Sequence, residues 1–301
     1  MMNGMNQKEI NLKALAKINL GLDVLGKRAD GYHEVRMVMQ SIYLYDEVKI
    51  ERVAEPGITL NSNLTFLPTD EGNIAYKAAA LLMKEFAISE GVRITLDKRI
   101  PVAAGMAGGS SDAAAVLFGM NRLFELQLSG RELMERGVTL GADVPYCIMR
   151  GTVLAEGIGE ELTPLPAMPK CAVLIAKPPI SVSTRQVYEA LDAKAIKSHP
   201  DIDGLIAALT EGNLKQVAAR KGNVLEDVTI PMHPVIEQIK QEMMDAGAMN
   251  AMMSGSGPTV FGLFEDKAKA REAQDRIRKK ALAKQVYITN VHSAGRDKGW
   301  I

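Results

Sequence analysis

The sequence predicts an α+β fold made of two domains, residues 1–162 and 163–301. Its 301 residues suffice for two domains of ordinary size. Strand and helix patterns are mixed along the chain without strict βαβ alternation, which indicates α+β layers. A proline-spaced stretch at 163–169, Thr-Pro-Leu-Pro-Ala-Met-Pro, is the best candidate for a linker between the domains.

Strand patterns dominate the N-terminal region. From Lys17 to Val24 polar and apolar residues alternate, which is the period of a half-buried strand. Asp30-Gly31 is a strong hairpin signal. Similar patterns predict strands at 34–41, 47–53 and 92–96, and an alanine- and leucine-rich segment predicts a helix at 73–85.

A glycine-rich loop comes next and reads Pro-Val-Ala-Ala-Gly-Met-Ala-Gly-Gly-Ser-Ser-Asp-Ala-Ala-Ala at 101–115. Gly105, Gly108 and Gly109 free the backbone to turn tightly and to approach a ligand. The Ser-Ser-Asp that follows them is typical of a helix N-terminus, whose unpaired N–H groups and partial positive charge attract phosphate. The spacing fits neither G-x-x-x-x-G-K-[ST] nor G-x-G-x-x-G, so this is not one of the common phosphate loops.

Helices and strands continue to mix beyond this loop. A second glycine-rich loop, Ser-Gly-Ser-Gly-Pro at 254–258, is more elaborate than a turn requires, which favours a ligand contact over a plain helix-to-strand turn. The other predicted elements are strands at 152–155, 171–176, 259–264 and 286–291, and helices at 116–124, near 183, within 201–247 and at 266–284.

The composition excludes several classes of protein. Hydrophobic residues make up 47% of the chain, enough for real cores. The 36 basic and 36 acidic residues cancel, so no overall field favours nucleic acid or an anionic membrane, and any phosphate site must be local. Cys147 and Cys171 have no metal-site spacing and predict buried thiols in a reducing compartment. The polar opening residues and the lack of a long apolar run predict a soluble, cytoplasmic protein.

Several residues could carry chemistry, and each also has a plainer interpretation. Lys17 lies on the polar face of its strand, where a lysine is usually solvated. Asp143, in Gly-Ala-Asp-Val-Pro, is either a turn or N-cap residue or the general base that phosphoryl transfer to an alcohol needs. Tyr32 and His33 follow the hairpin signal and either bind a nucleic base by stacking and edge contacts or pack over the hairpin.

Three motifs in this order resemble the GHMP kinases, the family of galactokinase, homoserine kinase and mevalonate kinase. They are Ala16–Leu20, Pro101–Ala114 and Met253–Thr259. Further motifs narrow the resemblance to members that act on a cytidine diphosphate-linked methylerythritol, and the likeness covers residues 11–292. These motifs are Arg28–Glu34, Gly141–Pro145 and Gly222–Glu226.

The resemblance implies a fold, a reaction and a route. The N-terminal domain would be like domain 2 of ribosomal protein S5 and the C-terminal domain ferredoxin-like, with the last strand able to pack on the first domain. The reaction would be ATP-dependent phosphorylation of a 2-hydroxyl, with Mg²⁺, in the non-mevalonate route to isoprenoid precursors. The partner would be this small substrate, with no nucleic acid and no membrane, and the protein a monomer or homodimer.

The resemblance also implies residue roles. Asp143 would take the proton of the substrate hydroxyl, while Lys17 would align that hydroxyl and stabilise charge on the phosphoryl group. The expected ATP contacts are Pro101, Val102, Ala103, Ala104, Gly105, Met106, Ala107, Gly108, Gly109, Ser110, Ser111, Asn73 and Lys98. The expected substrate contacts are Asn19, Tyr32, His33, Thr184, Tyr188, Gly255 and Ser256, with Tyr32 and Tyr188 on either side of the cytosine and His33 at its edge. No acidic pair identifies a metal ligand, and Ser110 or Ser111 is the candidate for Mg²⁺.

Two departures from the family pattern stand out. Leu15 replaces a proline before the lysine motif, which should matter little. Ala103, Ala104 and Ala107 stand where relatives often have glycine. Because alanine resists positive φ, we expect ordinary backbone angles there and the strained turns at Gly105, Gly108 and Gly109.

Two alternatives remain open at this stage. One is a GHMP kinase for a different small alcohol, which the Tyr32–His33 pair argues against. The other is a catalytically silent nucleotide or sugar sensor, which the presence of both Lys17 and Asp143 argues against.

Overall fold

The computed structural model describes residues 8–193, 196 and 198–293. Residues 1–7 of the polar opening stretch and the predicted domain limits at 1 and 301 lie outside this range. Within it, helices and strands form two sheets with helices segregated to their faces, which confirms the α+β class.

The first sheet is built on two long antiparallel strands, β1 (Glu9–Lys27) and β2 (His33–Val53). The strands expected at 34–41 and 47–53 are thus one strand. Irregularities between Leu15 and Lys17 and between Asn19 and Gly21 shift the register of β1. Bulges of this kind re-aim side chains, and here they flank the lysine motif.

Four shorter strands complete this sheet in the order β3-β4-β2-β5-β6, with β1 also paired to β2. They are β3 (Ile58–Ser62), β4 (Gly91–Asp97), β5 (Thr152–Glu156) and β6 (Glu161–Pro164). Because β6 pairs with β5, this sheet extends past the predicted boundary at residue 162.

Four helices accompany the first sheet: α1 (Ile74–Glu85), α2 (Gly108–Leu123), α3 (Gly130–Gly137) and α4 (Val144–Met149). A Cβ added to Gly119 of α2 would meet the side chain of Ile50 at 2.4 Å. The helix therefore packs directly on the sheet, which fixes its N-terminus beside the first glycine-rich loop.

The second sheet has the order β10-β7-β9-β8 and is antiparallel throughout. Numbered within this half of the chain, the order is 4-1-3-2, the arrangement of a ferredoxin-like βαββαβ unit. Its strands are β7 (Ala172–Lys177), β8 (Asn250–Met253), β9 (Val260–Phe264) and β10 (Gln285–Asn290). The helices are α5 (Thr184–Ala190), α6 (Ile202–Thr210), α7 (Leu214–Ala219), α8 (Glu226–Met232), α9 (Val235–Asp245) and α10 (Lys267–Lys279).

The two halves meet along the middle of β1. A Cβ on Gly21 would lie 2.7 Å from Ile202 of α6, and Leu22 forms a parallel bridge with Asn223. Ile42 of the first sheet bridges Val291, the residue just beyond β10. The expectation of a half-buried strand from 17 to 24 is therefore wrong, because helix α6 and the 222–224 segment cover its second face and every residue there is buried.

Both cysteines are buried free thiols, as expected. Among the described residues no helix combines the length and apolar character needed to cross a bilayer.

Candidate active site

A cavity of about 730 Å³ lies between the two halves of the chain. It brings together residues from β1, the hairpin tip, both glycine-rich loops, the turn before α4 and helix α5. Of the residues that the sequence assigned to a site, those lining it are Lys17, Asn19, Tyr32, His33, Gly105, Ser110, Asp143, Thr184, Tyr188, Gly255 and Ser256.

Lys17 and Asn19 share one face of β1 because they are two residues apart. The Lys17 ammonium donates a hydrogen bond of 2.7 Å to Asn19 Oδ1, and the Asn19 amide donates to Met37 Sδ. Lys17 is only 5% exposed, so the interpretation of it as a solvated surface lysine is wrong. Its ammonium donates to a neutral amide and forms no ion pair with a carboxylate of the described residues, which leaves its charge available to an anion.

Asp143 occupies the N-cap position of α4 but does not cap it. Its side chain makes no hydrogen bond to the helix, and it lines the cavity instead. The charges of Asp143 and Lys17 both act on the buried thiol of Cys147. Burial and the Asp143 carboxylate raise the pKa of this thiol, and the Lys17 ammonium lowers it. Burial and the Asp143 charge also raise the pKa of Tyr188 to about 12. Asp143, Lys17 and Tyr188 line the same cavity.

The first glycine-rich loop differs from the expectation in its backbone. Positive φ values occur at Ala103 (50°), Gly105 (68°) and Ala107 (55°), whereas Gly108 and Gly109 begin helix α2. The expected ordinary angles at Ala103 and Ala107 are therefore wrong. Each such alanine costs about 1–2 kcal/mol, and strain of this kind persists where surrounding structure imposes it.

The N-terminus of α2 is open toward this loop. Ala107 holds the N-cap position and has no side chain that could bind the first N–H groups. The Ser111 hydroxyl donates to the Leu15 carbonyl at 2.8 Å and is buried, whereas Ser110 faces the cavity. Uncapped N–H groups and the helix dipole of 16 residues make this end suited to phosphate.

A buried ion cluster supports the loop from behind. The Lys98 ammonium donates to Asp46 and Asp112, and Asp46 Oδ1 accepts the backbone N–H groups of Arg99 and Ile100, just before the loop. Burial would lower the pKa of Lys98, but the carboxylates of Asp112 and Asp46 outweigh it and raise that pKa. Burial raises the pKa of Asp112 to about 8.

Of the thirteen predicted ATP contacts, Gly105 and Ser110 line the cavity and the other eleven, Asn73 and Lys98 among them, do not. The Lys98 ammonium is engaged by the cluster. Asn73 caps α1, accepting from Ala75 N–H at 3.0 Å and donating to the Pro68 carbonyl at 2.9 Å. Sequence reasoning missed Asp46 and Asp112 as partners of Lys98, because no local pattern marks contacts across 52 and 14 residues.

The far end of the cavity is aromatic. The rings of His33 and Tyr188 lie 5.2 Å apart between centroids at a 41° tilt, and Tyr32 is 60% exposed at the rim. Burial and the nearby Lys27 charge lower the pKa of His33. Beside this group, the hydroxyls of Thr184 and Ser256 lie 2.8 Å apart.

Family models match both halves of the chain. The model "GHMP kinases N terminal domain" matches residues 73–151, and "GHMP kinases C terminal" matches residues 188–283. The chain belongs to the GHMP kinase family.

Curated relatives carry a more particular name. The chain is 58% identical over 282 residues to the 4-diphosphocytidyl-2-C-methyl-D-erythritol kinase of Lachnospira eligens, covering 94% of this chain and 98% of that protein. It is 56% identical to the enzyme of the same name from Lachnoclostridium phytofermentans, covering 93% and 96%.

Solved structures agree with this assignment. A crystal structure of 4-(cytidine 5'-diphospho)-2C-methyl-D-erythritol kinase matches with a TM-score of 0.81 at 32% identity, covering 94% of this chain and all of that one. The homoserine kinase of Cytophaga hutchinsonii matches with a TM-score of 0.75 at 20% identity, covering 97% of each chain, which shows the fold alone.

Proposed function

We propose that this chain transfers the γ-phosphoryl group of ATP to the 2-hydroxyl of 4-diphosphocytidyl-2-C-methyl-D-erythritol, in the non-mevalonate route to isoprenoid precursors. One observation carries the proposal. A single cavity holds a cation, a carboxylate and an open helix N-terminus together with an aromatic group suited to a nucleic base. The relatives named for this activity match over nearly the whole chain.

Asp143 is the general base in this proposal. A carboxylate that neither caps its helix nor pairs in a salt bridge within the described residues can accept the proton of a bound hydroxyl. Lys17 holds the same hydroxyl in line and stabilises negative charge on the transferring group. Asn19 fixes the direction of the Lys17 ammonium through their 2.7 Å hydrogen bond.

The donor phosphates bind at the first glycine-rich loop and the N-terminus of α2. Backbone N–H groups supply most of the contacts, so the residues at 101–109 act through their backbone. The Ser110 hydroxyl and the Asp143 carboxylate both line the cavity, and oxygen ligands of this kind suit Mg²⁺. Ser110 is our candidate to hold Mg²⁺ beside the phosphates. Mg²⁺ held there with ATP would neutralise negative charge on the donor phosphates.

The cytidine end of the substrate lies among Tyr32, His33 and Tyr188. Aromatic faces stack on a base, and an imidazole binds its polar edge. Lys27 and Arg185 also line this part of the cavity and carry positive charge for the diphosphate between the base and the reacting hydroxyl. We further propose a cytoplasmic monomer or homodimer with no nucleic acid or membrane partner.

The experiment measures ADP release from ATP and Mg²⁺ with and without 4-diphosphocytidyl-2-C-methyl-D-erythritol. We expect release that depends on the acceptor and a new phosphomonoester at its 2-position by ³¹P NMR. The Asp143→Asn protein, prepared identically, controls for contaminating ATPase. Folded protein that prefers mevalonate or homoserine would support a different GHMP kinase, and ATP binding without transfer to any acceptor would support a silent sensor.

A further inference from the structure

The Gly222–Glu226 segment contributes no group to the reaction proposed above, yet it holds a buried amide at the junction of the two halves. Asn223 is 7% exposed and lies between β1 and the second glycine-rich loop. Its surroundings show what this side chain does.

Asn223 uses both amide hydrogens and its carbonyl oxygen. Its Nδ2 donates to the Met253 carbonyl at 3.0 Å and to the Gly255 carbonyl at 2.8 Å, and its Oδ1 accepts from Leu225 N–H at 3.0 Å. A carboxylate in the same place would present an oxygen to two carbonyl oxygens. Only an amide satisfies this set of partners at this size.

The residues on either side of Asn223 are tied to the strand that carries Lys17 and Asn19. Leu22 N–H donates to the Gly222 carbonyl at 2.8 Å, and Val224 N–H donates to the Leu22 carbonyl at 3.1 Å. The amide therefore has a fixed position relative to β1.

The loop that Asn223 holds forms part of the cavity wall. Gly255 and Ser256 line the cavity, and a Cβ on Gly255 would lie 3.5 Å from Asn19 Oδ1, the atom that accepts the Lys17 ammonium. Thr229 provides a weaker second tie, donating to the Ser256 carbonyl at 3.3 Å.

We infer that Asn223 is a positioning residue that holds the second glycine-rich loop against β1, so that Gly255 and Ser256 form the wall of the alcohol-substrate site next to Asn19 and Lys17. This inference rests on the proposed function. The second half of the chain, through Asn223, then sets the width of the substrate site.

The test compares Asn223→Ala and Asn223→Asp with Asn121→Ala. Asn121 is a matched control, because its amide also ties down a segment, donating to and accepting from Leu128 at 2.9 Å each, far from the cavity. We expect the KM for the cytidine substrate to rise about tenfold to a hundredfold in both Asn223 variants, because each variant loses buried hydrogen bonds that hold the second glycine-rich loop. The KM for ATP should change less than about twofold, and amide hydrogen exchange at 253–257 should accelerate.

A purely structural role would lower stability and leave the kinetic constants of the folded fraction unchanged, and that result overturns the inference. An equal rise in KM in Asn121→Ala also overturns it. If neither Asn223 variant folds, the KM for the cytidine substrate is measured for Thr229→Val instead. An unchanged KM in that variant would count against the inference. A wild-type protein without acceptor-dependent activity would contradict the proposed function instead, and the exchange rates at 253–257 would still test the role of Asn223.

Discussion

The Ser254 hydroxyl donates a 2.9 Å hydrogen bond to the carbonyl of Gly105 and so joins the two glycine-rich loops, which are 149 residues apart. A Cβ on Gly105 would lie 2.2 Å from the Ser254 carbonyl oxygen, so the contact requires glycine. The loop proposed to bind the donor phosphates and the loop proposed to bind the alcohol are therefore in direct contact. A substitution that moves one of these loops should also move the other.

Gly105→Ala should both destabilise the protein and weaken ATP binding. The added methyl group collides with a backbone oxygen, and forcing such overpacking costs about 1–3 kcal/mol. We expect the dissociation constant for ATP, measured by calorimetry, to rise by about tenfold, the effect of about 1.4 kcal/mol.

Gly212→Ala is the matched control. Gly212 has φ +67° against +68° for Gly105, but a Cβ there meets nothing within 4 Å. This variant should lose about 1 kcal/mol of stability for the left-handed backbone and keep its ATP affinity. Equal loss of ATP affinity in both variants would contradict the role given to the loop contact.

Asp143→Asn should lower kcat by about 10²- to 10⁴-fold, the usual worth of a general base. Because Asp143 makes no cap hydrogen bond, the thermal midpoint and ATP binding should stay near the wild-type values. The control is Asp266→Asn, since Asp266 caps α10 away from the cavity and asparagine caps a helix equally well. Unchanged turnover in Asp143→Asn would remove Asp143 from this role.

Local patterns predicted the elements that bring the site together. Asn73 and Ser183 cap helices where the sequence placed their starts, and the first glycine-rich loop connects the expected strand to the expected helix. Strand β8, which leads into the second loop, was not predicted. Caps and turns depend on a few neighbouring residues, so a single sequence carries them.

The misjudged features depend on contacts between distant segments. Lys17 looks solvated on its own strand, yet it is 5% exposed, because it lies in a cavity that distant segments of both halves enclose. Ala103 and Ala107 take positive φ in a loop that the second glycine-rich loop confines through Gly105. Neither relationship has a local signature.

The pH dependence of substrate binding should follow His33. A neutral imidazole can accept a hydrogen bond from the amino group of cytosine, and an imidazolium cannot. Burial and the Lys27 charge lower the pKa of His33 below its ordinary 6.5. We therefore expect kcat/KM to fall only at pH values below 6.5.

Lys27→Gln removes one cause of that lowering, so the acid limb of the kcat/KM profile should move to higher pH. The control is Lys84→Gln, in the last turn of α1, which should leave the profile in place. A limb that stays fixed in Lys27→Gln would show that the Lys27 charge does not act on the titrating group.

The buried cluster behind the first loop should respond very differently to loss of its cation and loss of one acid. Lys98→Met leaves Asp46 and Asp112 buried without their ammonium and should lower the free energy of unfolding by about 3–5 kcal/mol. Asp112→Asn keeps an oxygen that accepts from Lys98 and should cost much less, because burial already raises the pKa of Asp112 to about 8. The sign of the pH dependence follows from that raised value.

Between the ordinary 3.8 and about 8, the folded protein keeps a proton on Asp112 that the unfolded chain releases, so wild-type stability falls as pH rises through this window. Asp112→Asn lacks that loss, and its stability relative to wild type should improve from pH 5 to pH 8 in urea unfolding. Lys49→Met, on the exposed side of β2, controls for loss of a lysine and should change little. If Asp112→Asn were as destabilising as Lys98→Met at both pH values, Asp112 would have to hold its charge at neutral pH, and the cluster would depend on both carboxylates equally.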